Sequence, residues 1–229
     1  MQEPTVLVVA AHPDDEVLGC GGSIARHRKL GHAVSVLILA DGVGSRPGGA
    51  GSDAHALAER RDCARRANAI LGVDDLAMLA YPDNRMDEVA LLDIVQDIEK
   101  AVERCRPSIV YTHHAGDVNV DHCMVHDAVI AACRPLPSHC VRQLLFFETP
   151  SSTEWRPASS RRTFSPNWFA NISETLALKL QAVEAYAPEL RDFPHPRSLA
   201  AVEHLARWRG ASAGLAAAEA FELGRNIEF

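Results

Sequence analysis

The run Val6-Leu7-Val8-Val9-Ala10 is unbroken, apolar and rich in β-branched residues, and it ends abruptly in Ala11-His12-Pro13-Asp14-Asp15-Glu16. A run of this kind forms a strand buried on both faces of a parallel sheet. Open α/β sheets place their ligand sites at the carboxyl ends of such strands. A histidine and three carboxylates therefore gather at the sheet edge where chemistry is expected.

The pattern repeats along the chain. Ile24 to Gly31 has the composition of a helix closed by a C-terminal glycine, and Ala33 to Leu39 is a second apolar strand, which makes a β-α-β unit with a right-handed crossover. A helix from Ala54 to Leu71 and a short strand from Leu76 to Leu79 come next. Leu91, Val95, Ile98 and Val102 recur at helical spacing, and Ser108 to Thr112 and Gln143 to Glu148 are further strands. Alternation of strand and helix over the first 150 residues indicates a Rossmann-like, doubly wound α/β fold with a mainly parallel sheet. The segment Thr149 to Pro166 reads as loop with a short hairpin. From Ser173 to Arg209 and from Ala211 to Phe221 the chain reads as helical, interrupted at Pro188, Pro194 and Pro196. We take residues 1–229 as one domain, with the Rossmann-like core over about 1–150 and a mostly helical C-terminal extension over about 151–229.

Composition narrows the partners. A formal net charge of -7 gives no basic footprint for nucleic acid. No run approaches the roughly twenty apolar residues that span a bilayer. The chain enters its first strand within about five residues, which leaves no room for a signal peptide. The six cysteines, Cys20, Cys63, Cys105, Cys123, Cys133 and Cys140, are scattered without a C-x-x-C pair and read as buried small hydrophobes in a reducing compartment. A cytoplasmic protein is expected, with the helical C-terminal third as a candidate surface for homo-oligomer assembly.

His12 and Asp15, three residues apart, offer two ligands to one divalent ion. A catalytic zinc site takes three protein ligands and keeps an open position. His122, preceded by Asp121 and following the fourth strand, lies on the same sheet edge and completes the set. Asp14 is then the carboxylate left to take a proton from water. An acidic turn of this kind also serves as an N-cap and as charge complementing the helix dipole, with no metal at all. Glu16 opens the helix and supports the site through hydrogen bonds. A dinucleotide site built on Gly19-Cys20-Gly21-Gly22 and Asp41 is the rival reading, but eight residues separate Ala10 from Gly19, where that fingerprint has glycines directly after the strand.

Ala11-His12-Pro13-Asp14-Asp15-Glu16, followed by Gly19, Gly21 and Gly22 and joined by Asp121-His122, resembles the LmbE-like or PIG-L family of zinc-dependent N-deacetylases. Arg60, Ala67, Leu71-Gly72, Pro82-Asp83 and Ala218-Glu219-Ala220-Phe221 extend the resemblance over most of the chain. It implies removal of the acetyl group from an N-acetylglucosamine moiety of a small conjugate. The implied cofactor is Zn2+ or another divalent transition metal, held by His12, Asp15 and His122 with Asp14 as general base. Arg60 and Asp83 match positions that hold the sugar or its attached group. Many relatives have a histidine where this chain has Asn119, so the oxyanion donor falls to Asn119 or to a nearby histidine, of which His114 is preferred over His113 and His126. Trp155 and Trp168 are candidates for stacking on a sugar face. An amidase acting on another N-acyl substrate, and a non-catalytic sugar-binding protein of the same fold, are the alternatives.

Overall fold

A computed structural model of the protein describes residues 4–44, 54–136, 141–158 and 162–228. Most of the expected Gly42 to Asp53 loop, together with Cys140, lies outside them. The five apolar runs become β1 (Thr5–Ala10), β2 (Ala33–Ala40), β3 (Asp75–Tyr81), β4 (Ile109–His113) and β5 (Gln143–Phe147). Between them run α1 (Asp15–Lys29), α2 (Ala54–Ile70), α3 (Leu91–Cys105) and α4 (Val120–Ala132). The five strands are parallel and stand in the order β3-β2-β1-β4-β5.

Successive side chains of a strand face opposite sides, and the unbroken apolar runs therefore feed two cores. Val6, Val8 and Ala10 pack with Val36, Ile38, Leu145 and Phe147 on one face, under α1 and α2. Leu7 and Val9 pack with Leu37, Leu39, Val110 and Phe146 on the other, under α3 and α4. The doubly wound α/β sheet is thus as expected. Its switch point falls between β1 and β4, because the chain winds outward through β2 and β3 before returning to β4 on the other side.

The C-terminal third holds more strand than its composition implies. After β6 (Trp168–Asn171), α5 (Leu176–Glu184) and α6 (Leu199–Ala211), residues Ala218–Asn226 form β7. This strand lies antiparallel to both β5 and β6 and completes a seven-stranded sheet. The helical reading of Ala211 to Phe221 is corrected here. Its alanines favour helix locally, but Gly214 turns the chain at φ +72 and β5 offers an edge against which Ala218, Ala220 and Phe221 are buried. Pairing and burial override propensity. No hairpin occurs among the described residues of Thr149 to Pro166, which carry a short 3-10 turn at Thr153–Trp155.

Helix α1 begins nine residues earlier than the Ile24 start read from composition and runs straight through the glycines, breaking its dihedrals at Cys20 (φ -144, ψ 22). Glu219 of β7 caps the second half: its carboxylate accepts from the backbone N–H of Gly22 at 2.8 Å and of Ser23 at 2.7 Å. Lys179 Nζ donates to Glu219 Oε1 at 2.6 Å and to Leu18 O at 2.8 Å. A Cβ on Gly19 would strike the Phe147 ring, and one on Gly22 would strike Ile172. The glycines therefore serve close packing inside a helix and form no nucleotide cradle. Among the described residues, no helix is long and apolar enough to cross a membrane.

Candidate active site

The backbone leaves β1 through Ala11 and turns sharply at Asp14, which adopts the left-handed region at φ 113. Such a conformation costs a non-glycine residue on the order of 1–3 kcal/mol and is held by its surroundings. Glu16 does the holding. Its Oε2 accepts from the Asp14 N–H at 3.1 Å, while its Oε1 accepts from the Tyr186 hydroxyl at 2.6 Å and from Asn68 Nδ2 at 3.0 Å. Burial pushes the Glu16 carboxyl up to about 7. Asp14 sits at the N-cap position of α1, yet its side chain makes no capping hydrogen bond. Helix capping therefore does not account for this carboxylate.

The turn separates Asp14 from Asp15. His12, Asp15 and His122 are buried, and each offers a ligand atom within 4.8 Å of the others. Asp15 Oδ2 lies 3.2 Å from His12 Nδ1 and 3.2 Å from His122 Nε2. Asp15 Oδ1, the other oxygen of that carboxylate, is buried without a hydrogen-bond partner. The far nitrogen of each imidazole meets another carboxylate. His12 Nε2 is 2.9 Å from Asp121 Oδ2, and His122 Nδ1 is 3.2 Å from Asp117 Oδ2. Carboxylates behind histidines in this way fix the tautomer and orientation that metal ligation needs.

Electrostatics agree with that donor set. Burial alone would lower both imidazoles, but Asp121 and Asp15 raise His12 to about 10, and Asp15 and Asp117 raise His122 to about 9. Burial would likewise raise Asp15, but His122 and the hydrogen bond with His12 hold it well below the usual carboxylate range. The pocket thus stabilises positive charge at its centre. Two nitrogens and an oxygen are the ligand chemistry of zinc and related transition ions. A second grouping, His12 with Asp83 and Asp121, is equally compact. It suits a metal less well, because Asp121 already accepts from the N–H groups of Asn84 at 2.7 Å and Met86 at 2.9 Å, fixing the loop after β3.

Over the cluster opens a cleft of about 130 Å³, lined by His12, Asp14, Arg60, Asp83, Asn119 and residues not singled out by sequence: Asn84, Glu189 and Arg197. Burial pushes Asp14 up to about 6, against the pull of Arg197, whose Nη1 donates to Asp14 Oδ2 at 3.2 Å. Asn119 caps α4 by accepting from the Asp121 N–H at 2.8 Å, and its Nδ2 donates to Asn84 Oδ1 at 3.0 Å. Asp83 Oδ1 lies 3.3 Å from His12 Nε2.

His114 is not brought into this cleft, and the expectation that it faces the reacting group is corrected. Its Nδ1 is 2.9 Å from Glu222 Oε2 on β7, its Nε2 is 3.1 Å from the Arg162 carbonyl, and its ring packs edge-on to Phe164. Neither nitrogen points at the centre. His126 turns to the His113 carbonyl at 2.9 Å. His113 is structural: its Nε2 accepts from the Ala11 N–H at 2.9 Å, and its ring stacks on His122 with centroids 3.9 Å apart. Burial and the neighbouring His122 keep it neutral, well below its ordinary value. Neither Trp155 nor Trp168 lines the cleft; Trp155 packs edge-on to His195. Asp117, in the loop between β4 and α4, carries no signal in the sequence beyond its place just past a strand end. Glu189 and Arg197 carry no sequence signal, since they come from a proline-broken stretch far from the motif.

The fold and site together define a class: α/β proteins with a mixed nitrogen and oxygen ligand set and a separate carboxylate at the sheet's switch point. The chain belongs to the PIG-L family, described as GlcNAc-PI de-N-acetylase, whose model matches residues 7–133. It is 31% identical to the uncharacterized deacetylase YaiS of Escherichia coli over 79% of this chain and 89% of that protein. It is 28% identical to the diacetylchitobiose deacetylase of Thermococcus kodakarensis, over 79% of this chain and 68% of that one. Among solved structures, the conserved protein TT1542 of Thermus thermophilus superposes with a TM-score of 0.78 at 26% identity, covering 99% of this chain and 97% of that one.

Proposed function

We propose that the protein is a metal-dependent hydrolase that removes the N-acetyl group from an N-acetylglucosamine-type amino sugar in a small conjugate. One observation carries the reading: Asp14 is held in a left-handed turn that aims its carboxylate into the cleft beside the His12, Asp15 and His122 set while keeping it out of that set. A binding protein has no use for such a carboxylate; a hydrolase needs a base there. The deacetylases among its relatives support the same chemistry.

A divalent transition ion, zinc foremost, would be held by His12, Asp15 and His122, and when bound it acidifies water and polarises an acyl oxygen. The chain's own residues do the rest. Asp14, kept ionised at neutral pH with help from Arg197, takes the proton of the attacking water and returns it to the leaving amine. Asn119 carries the oxyanion-donor role, because its amide lines the cleft and His114 does not. Arg60 and Asp83 hold sugar hydroxyls on the cleft wall. Acetate and a free amino sugar are the products.

Residues 1–229 act as a single deacetylase domain in this reading, since Tyr186, Glu189 and Arg197 of the C-terminal third reach a site built on β1 and β4. Cys20, Cys63, Cys105 and Cys133 carry free thiols, which fits a reducing cytoplasm. The test is acetate release from N-acetylglucosamine, diacetylchitobiose and an N-acetyl amino acid by zinc-loaded protein. The sugars should be hydrolysed, and Asp14→Asn should lower turnover by about 10²–10⁴-fold while retaining the metal. Normal turnover by that variant would remove Asp14 as the base. Release from the amino acid alone would point to an amidase.

A further inference from the structure

The cleft carries its charges already paired. Arg60, from α2, forms a close ion pair with Glu189 through Nη2, and its guanidinium also donates to the Pro13 carbonyl at 3.4 Å and the Gly42 carbonyl at 3.3 Å. Arg197 donates to Asp14 Oδ2 at 3.2 Å and to Ser151 Oγ at 2.6 Å, and its Nη1 lies 3.9 Å from Glu189 Oε2. Among the described residues, these two guanidiniums are the arginine and lysine groups that line the cleft. Facing them are Asp14, Asp83 and Glu189, with Asp15 in the ligand set beneath. Among the described residues, two guanidiniums and a divalent cation would be matched by these four carboxylates.

Glu189 is the carboxylate that touches both arginines, and its backbone is fixed. It ends a short 3-10 turn, Ala187–Glu189, with Pro188 inside the turn and its N–H donating to the Tyr186 carbonyl at 2.8 Å. Tyr186 is buried and anchored on Glu16. The turn therefore holds the Glu189 backbone in place, and an anionic group entering beside Arg60 and Arg197 must displace its carboxylate or sit against it. Like charges held together in a partly desolvated site repel strongly.

We propose that Glu189 is a charge-selecting residue: it neutralises Arg60 and Arg197 so that the cleft takes neutral N-acylated amino sugars and rejects conjugates carrying a phosphate or carboxylate beside the sugar. This rests on the sugar-deacetylase reading above and names the substrate class within it.

The experiment uses a non-hydrolysable pair, in which a methanesulfonamide replaces the acetamide of glucosamine: the neutral methyl glycoside and the anionic 1-phosphate. Binding of each to the zinc-loaded protein is measured by calorimetry. The wild-type protein should bind the neutral ligand more tightly by about ten-fold or more, and Glu189→Gln should close most of that gap. Glu184→Gln, an exposed change of the same net charge on α5, should leave the gap intact. Equal or tighter binding of the phosphate by the wild-type protein overturns the proposal. So does a gap that survives Glu189→Gln, one that Glu184→Gln closes equally, or failure of both ligands to bind. If the gap behaves as expected but the matching N-acetyl compounds release no acetate, charge selection stands and the deacetylase reading falls.

Discussion

Asp117→Asn tests the candidate centre without touching any residue that would ligate the ion. Asp117 Oδ1 accepts from the Asn119 N–H at 2.9 Å and from the Ser152 hydroxyl, and Oδ2 accepts from the Thr153 hydroxyl at 2.6 Å and lies 3.2 Å from His122 Nδ1. The two hydroxyls can rotate, but the backbone N–H of Asn119 cannot. An amide at this position must therefore turn its oxygen toward Asn119 and its NH2 toward His122. His122 Nδ1 then has to accept, the ring proton moves to Nε2, and the nitrogen that faces Asp15 loses its lone pair. Loss of such a carboxylate partner lowers metal affinity by about 10–100-fold, or about 1.4–2.7 kcal/mol.

Affinity is to be measured by chelator competition, with urea unfolding of the metal-free protein as the control for folding. Asp117→Ala should in addition lose about 3–5 kcal/mol of stability, since it strands buried donors. Burial alone would raise the Asp117 carboxyl, but His122 and the Ser152 and Thr153 hydroxyls hold it well below its ordinary value. Its stabilising contribution is therefore complete above the unfolded value of about 4 and is lost as pH falls below it. Wild-type metal affinity in Asp117→Asn would refute the reasoning, because His122 would then not depend on its carboxylate partner.

Turnover should fall toward acid pH as Asp14 takes up a proton, with the limb below the value of about 6 to which burial raises Asp14 in the metal-free protein. Arg197→Gln should move that acid limb upward by roughly a unit, and a bound cation shifts both limbs down without changing their order; a pH–rate profile with an unmoved limb refutes it. Lys179→Met leaves the Glu219 carboxylate buried without its ammonium partner and should cost about 3–5 kcal/mol in urea unfolding, while adding Glu219→Gln should restore part of the loss. Gly19→Ala should destabilise by about 1–3 kcal/mol despite better helix propensity, because the new Cβ would come within 2.3 Å of the Phe147 ring, which packs edge-on to His113. An unchanged or raised melting temperature would show that propensity outweighs packing there.

Much of the site is dictated by patterning within short windows. The apolar runs specify buried parallel strands, and the alternation with helices specifies a doubly wound sheet, whose carboxyl edge must collect the residues just past the end of each strand. That logic alone brings His12, Asp14 and Asp15 after β1 together with Asp121 and His122 after β4. It fails for His114, one residue beyond the end of β4, because adjacent positions turn to opposite sides: His113 stacks on His122, while His114 is drawn to Glu222 on β7. A strand misread as helix concealed that partner. Read as helix, the same segment gives Glu219 no reason to reach the backbone of Gly22 and Ser23, the contact that caps the second half of α1.

The sheet, its chemical edge and the gathering of His12, Asp15 and His122 there follow from residue order within a strand–turn–helix unit and from a handedness rule common to such folds. Long-range contacts set the surroundings of the two carboxylates that flank Asp15. Arg197 meets Asp14 across 183 residues and Tyr186 meets Glu16 across 170, pairings that no local pattern encodes. They arise because the C-terminal third folds back as α5, α6 and β7 against the first core, and burial then obliges each polar side chain it carries to find a partner at the site.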